Sequence, residues 1–139
     1  MVKGIREERE LVQLLWKRNF AAIRAPASGA ATQMPRPDII AGSSERGVQF
    51  AFEVKTTHDD KLYISRESVS QLIDFSQRFG CQPILAIKFK GKGIPWLFIE
   101  PQSLTTTPAL NFKITLREAL QRGMDFKSLI KESKQTRLS

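Results

Sequence analysis

Residues 48–55 constrain the fold of this chain more than any other segment. Val48, Phe50, Phe52 and Val54 alternate with Gln49, Ala51, Glu53 and Lys55. Alternation at period two is the mark of a strand with two different faces. On either side the periodicity changes. Residues 4–18 carry Ile5, Leu11, Val12, Leu14, Leu15 and Trp16 at helical spacing, and a second helix is predicted over 66–79, ending at Gly80. Further strands are predicted at 20–25, 38–41, 83–90 and 95–99. Residues 26–37, rich in Ser, Gly, Ala and Pro, read as a loop. The order helix–β–β–β–helix–β–β predicts an α/β domain with a central mixed sheet of about five strands flanked by helices.

A length of 139 residues suits one domain. Residues 1–101 are expected to form its core. Residues 102–139 are expected to add a helical extension, with a capping box at Thr115 and Glu118, a last helix over 125–132 and a basic tail, all packed on the same domain. The charged N-terminus and the lack of any long apolar run predict a chain with no membrane association, working inside the cell.

Composition removes several chemistries. One cysteine, Cys81, excludes an intrachain disulfide framework and a cysteine-based zinc site. One histidine, His58, excludes a two-histidine metal motif. There is no G-x-x-x-x-G-K-[ST] sequence, so no P-loop nucleotide cofactor is expected. Any hydrolysis must rely on carboxylates, lysine and hard metals. The net charge is +8, with six basic against three acidic residues in 1–24, nine against eight in 25–100, and seven against three in 101–139. Basic ends around a more acidic centre suit a protein that attracts phosphates and holds a cation among them.

The constellation that could carry chemistry is Pro37-Asp38 followed by Glu53-Val54-Lys55. If the 38–41 and 48–55 strands pair as a hairpin, Asp38, Glu53 and Lys55 converge at the sheet edge. Two adjacent carboxylates repel unless a cation lies between them, and Mg²⁺ is commonly held by one or two carboxylates plus waters. Lys55 would orient the attacking water and offset charge on the phosphate. Glu8, on the apolar stripe of the first helix, is either a third acid of this site or a stripe-edge residue paired with Arg9 or a lysine. Arg9, Arg24 and Lys88 lie on or beside core elements, Lys88 with the alternative of a snorkelled edge lysine. Arg36 is the basic residue of the 29–37 loop, and Ser28 adds a hydroxyl beside Gly29. Phe75 and Phe79, four residues apart with Leu72 alongside, are either core or a helix–helix seam between two copies.

These segments resemble the archaeal-type (Hjc-type) Holliday junction resolvases in order and spacing. The matching stretches are Lys3-Gly4, residues 8–11, 20–24, 27–29, 37–42, 53–55, 62–64, 72–80 and 83–89, which together cover roughly residues 3–101. The resemblance implies a restriction-endonuclease-like fold of the PD-ExK superfamily and a homodimer that nicks four-way DNA junctions symmetrically with Mg²⁺, or Mn²⁺ in its place. It further implies that Glu8, Asp38 and Glu53 hold metal and that Lys55 and Ser28 act in catalysis. Arg9, Arg24, Arg36 and Lys88 would handle DNA, and Leu72, Phe75 and Phe79 would lie at the dimer interface. The 29–37 loop is poorer in lysine than in several relatives, and residues from Gln102 onward match nothing in this resemblance. Viruses carry such enzymes too, so the setting is the cytoplasm of the cell or of a viral host. Other readings are a related nuclease acting on duplex, nicked or flapped DNA, and a non-catalytic junction-binding architectural protein.

Overall fold

The computed structural model describes residues 4–26 and 34–131. Helix α1 (Ile5–Lys17) is followed by β1 (Ala21–Arg24), β2 (Ile39–Ser43), β3 (Val48–Thr57) and β4 (Lys61–Ile64). Then come α2 (Arg66–Phe79), β5 (Gln82–Phe89), β6 (Leu97–Ile99), a 3₁₀ turn at Pro101–Ser103, β7 (Thr105–Thr106), β8 (Phe112–Thr115) and α3 (Leu116–Arg122). Residues 126–131 are helical again.

The expected five-stranded mixed sheet is present, in the order β1-β2-β3-β5-β6. β3 and β5 run parallel at its centre, and the other neighbours are antiparallel. A parallel pair needs a crossover, and α2 forms part of it. Local chemistry sets the ends of α2. The Ser65 side chain accepts from the N–H of Ser68, and Gly80 closes the helix at φ 88°, a left-handed conformation that costs glycine little.

Both faces of the sheet are covered, which is why β5 is apolar along nearly its whole length. Phe50, Phe52 and Val54 of β3 pack with Ile84 and Ala86 of β5 against Leu11 and Leu15 of α1, and Phe126, Leu129 and Ile130 close that layer. On the other face Ala51, Leu85 and Ile87 meet Val69 and Leu72 of α2 and Ala119 of α3. The sequence alternation of 48–55 therefore sorts residues between two packed layers. Ala51 is as buried as Phe50.

A second, three-stranded sheet, β4-β8-β7, was not foreseen. Its strands are two to four residues long, and β4 pairs with β8 some fifty residues later. So short a run carries too little periodicity to separate it from a loop; long-range pairing creates the strand. The capping box is formed as expected: Thr115 Oγ1 accepts from the Glu118 N–H, and Glu118 accepts from the Thr115 N–H. The tail beyond residue 131 lies outside the described residues. No helix among the described residues is long and apolar enough to cross a membrane.

Candidate active site

β2 and β3 pair antiparallel up to Ile39 opposite Phe52, and Asp38 is the residue just before that last rung. The Asp38 N–H donates to the Phe52 carbonyl at 2.9 Å, and Asp38 Oδ2 accepts from the Val54 N–H at 2.8 Å. The Asp38 carboxylate thus takes the place of a ladder carbonyl and is fixed against the backbone on either side of Glu53. Lys55, two residues on, shares the Glu53 face, with its Nζ 3.5 Å from Glu53 Oε2. Both side chains are mostly shielded from water, so this pair is screened less than an exposed one. The hairpin expected from the sequence is correct, but the place is not a lateral sheet edge. Both strands are interior, and the three groups meet where β2 begins and β3 runs on beyond it.

Glu8 departs from the expected three-acid set. It is 9% exposed and binds Arg24 of β1, Nε to Oε1, at 3.0 Å. Helix α1 covers the face that carries Phe52 and Val54, whereas Glu53 and Lys55 alternate onto the other. No group of three acids, histidines or cysteines close enough to share a cation occurs among the described residues. Asp38 and Glu53 remain as the carboxylate pair. Asp38 has a second oxygen not used by the Val54 bond, and a hard divalent cation completes its shell with waters or phosphate oxygens when only one or two carboxylates are present. The donor set fits such an ion.

Two further contacts of α1 were missed from the sequence. Glu7 is buried and binds Lys90 at 3.1 Å. Burial pushes its carboxyl up, but the hydrogen bond and charge of Lys90, with a backbone hydrogen bond and the charge of Arg6, together more than offset that and hold it below the ordinary value. Glu10 Oε1 accepts from both Lys88 Nζ at 3.0 Å and Trp96 Nε1 at 3.1 Å, and the Lys88 ammonium lies 5.1 Å from the Trp96 ring centre. The acids of 7–10 thus tie α1 to β1, to β5 and to the segment after it. The sequence signal was the run Glu7-Glu8 with Glu10 at the start of an amphipathic helix.

The remaining expected residues are scattered. Arg9 is exposed on α1, and Arg36 lies half-buried in the irregular stretch before β2. Ser28 lies outside the described residues. Phe75 and Phe79 stack with ring centres 5.3 Å apart, Phe79 being 53% exposed. Leu72 is 1% exposed and packs inside the chain's own core, so its side chain has no surface to offer a second copy. His58 is exposed, and its carbonyl accepts from Lys92 at 3.0 Å. Cys81 is half-buried, and burial pushes its thiol up, away from a reactive thiolate.

A mixed five-stranded sheet between two helical layers, with an aspartate, a glutamate and a lysine gathered at the start of the β2–β3 ladder, defines a restriction-endonuclease-like protein. The model of the archaeal Holliday junction resolvase (Hjc) family matches residues 1–138, and the chain belongs to that family. It is 40% identical over 137 residues to the crossover junction endodeoxyribonuclease Hjc of Methanocaldococcus jannaschii, covering 98% of this chain and 92% of that one. It is 42% identical over 112 residues to the Archaeoglobus fulgidus protein of the same name, covering 81% and 78%. The solved structure of Archaeoglobus fulgidus Hjc, a Holliday junction resolvase, superposes with a TM-score of 0.82 at 35% identity, covering 91% of this chain and 99% of that one.

Proposed function

We propose that this chain is a structure-selective, divalent-metal-dependent endonuclease that resolves four-way DNA junctions by paired symmetric hydrolysis of two phosphodiesters. The observation that carries the reading is the Asp38 carboxylate fixed on the Val54 N–H, between the paired Glu53 and Lys55 of β3, in a chain of the resolvase family. Asp38 and Glu53 would hold Mg²⁺, with Mn²⁺ able to replace it, since both take oxygen ligands in octahedral geometry. A bound cation lowers the pKa of a coordinated water and offsets charge on the phosphate. Lys55 would orient the attacking water and meet the charge that builds on the phosphate oxygens. Arg9 and Arg36 contribute to phosphate attraction from outside the site. Arg24 and Lys88, both held in ion pairs, position α1 against the sheet and are assigned a supporting role in DNA handling.

A homodimer completes the reading. One two-fold axis presents two equivalent sites to two equivalent strands, so both nicks fall within one encounter. The half-exposed Phe75–Phe79 stack supports a seam on α2. The enzyme's place is the cytoplasm that holds its DNA, or a host cytoplasm for a viral member. The test is cleavage of an immobile four-way junction beside duplex, nicked and flapped DNAs. Paired nicks in the junction alone support the reading, and equal cutting of all substrates overturns it.

A further inference from the structure

The second sheet has one face with no assigned role. Leu62, Ile64, Phe112 and Ile114 turn inward to the core, so Lys61, Tyr63, Lys113 and Thr115 turn outward by alternation. Tyr63 stands opposite Lys113, and Lys113 stands opposite Thr105 of β7. Lys61 is two residues from Tyr63 and diagonal to Lys113, about 7 Å away between backbones. Arg117 lines the same surface cleft as Lys61. Tyr63 is 64% exposed, a large aromatic ring left in water.

The charges on this face lack counterions. Among the described residues Lys61, Lys113 and Arg117 make no ion pair, whereas Arg24, Lys88, Lys90 and Lys92 each have one. The nearby acids are engaged elsewhere: Asp60 by Lys92 at 3.3 Å, and Glu118 by Thr115, Thr105 and Arg122. Asp59 lines the Lys61 cleft together with Asp60, so the positive field is tempered at that end of the face. Ammonium groups that share one sheet face repel one another, and a polyanion relieves that repulsion.

We propose that the outer face of the β4-β8-β7 sheet is a second DNA contact, in which Lys61 and Lys113 neutralise backbone phosphates of a junction arm and Tyr63 packs on the sugar–phosphate surface between them. This deepens the resolvase reading and rests on it for the identity of the DNA. It adds a grip remote in sequence from the acids of the candidate site, on an element that the sequence patterning did not reveal.

The experiment is a titration of a labelled four-way junction with the full-length protein in EDTA across a series of salt concentrations. Lys61→Gln with Lys113→Gln is expected to weaken binding roughly tenfold near ~100 mM salt and to make the slope of log K against log salt shallower by about two. Tyr63→Ala is expected to weaken binding about fivefold, with Tyr63→Phe close to the parent. Lys127→Gln with Lys131→Gln, on the helix that packs against the opposite layer, should leave affinity within about twofold. An unchanged slope in the Lys61/Lys113 variant overturns the proposal, whether the face is idle or serves an acidic protein. Cleavage in Mg²⁺ separates the two readings. A shallower slope without junction cleavage upholds the contact and sinks the resolvase, and junction cleavage with an unchanged slope does the reverse.

Discussion

Asp38 Oδ2 accepts the N–H of Val54 at 2.8 Å, so the carboxylate at the start of one strand stands in for the missing carbonyl of the next rung. That bond sets where Asp38 sits relative to Glu53 and Lys55, and it links stability of the ladder to the candidate chemistry.

Asp38→Asn and Glu53→Gln each keep a side chain of nearly the same shape and remove the charge. Cleavage should be lost in both, while junction binding stays within about tenfold, roughly 1.4 kcal/mol. Single-turnover assays beside gel-shift titrations check this. Normal cleavage in either variant would show that the carboxylate pair is misassigned.

Lys55→Met removes the ammonium 3.5 Å from Glu53 and keeps the apolar stem. The cleavage rate is expected to fall by about 10²–10³, the usual cost of losing one group aimed at developing charge. Junction affinity should change far less. A loss confined to affinity would mark Lys55 as a phosphate anchor only.

Leu72 and Phe79 separate core from seam on one helix. Leu72→Ala empties a buried position and should cost about 2–5 kcal/mol in denaturant unfolding. Phe75→Ala with Phe79→Ala should cost less stability in the monomer and shift sedimentation toward it. If sedimentation is unchanged, the stacked pair is a local surface feature.

Acid should destabilise the protein in a defined window. Glu7, despite its burial, is held low by Lys90, and Glu118 is held low chiefly by the Thr115 N–H. Carboxyls depressed on folding contribute stability that is complete above the unfolded value, here 4.5, and that is lost as pH falls through the folded values. Denaturant midpoints are therefore expected to hold near neutral pH and to drop below about pH 4.5. Glu7→Gln should flatten part of that drop. Thr115→Ala, which removes the cap, should cost about 1 kcal/mol.

The sequence was most legible where one pattern ran long enough to repeat. Helix α2 begins and ends where its capping serine and Gly80 require, and β3 and β5 follow from alternation and from an unbroken apolar run. Glu53 and Lys55 were assigned to one face by parity alone, and the structure holds them 3.5 Å apart. The sequence was silent where geometry depends on distant partners. The pairing of β4 with β8 joins residues about fifty positions apart. Glu8 could be read toward the acids or toward a basic neighbour, and only the packing of α1 on the Phe52 face selects Arg24. Leu72 and Phe79 share a helix, and their spacing alone could not say that one points inward and the other to water.

The most direct test of the central claim is cleavage of an immobile four-way junction by the intact protein, with Mg²⁺ and with EDTA, beside matched duplex, nicked and flapped DNAs. Paired symmetric nicks in the junction, dependent on metal and absent from the other substrates, are the result predicted here. Tight junction binding with no cutting in Mg²⁺ or Mn²⁺ would contradict it and leave a junction-binding protein without catalysis.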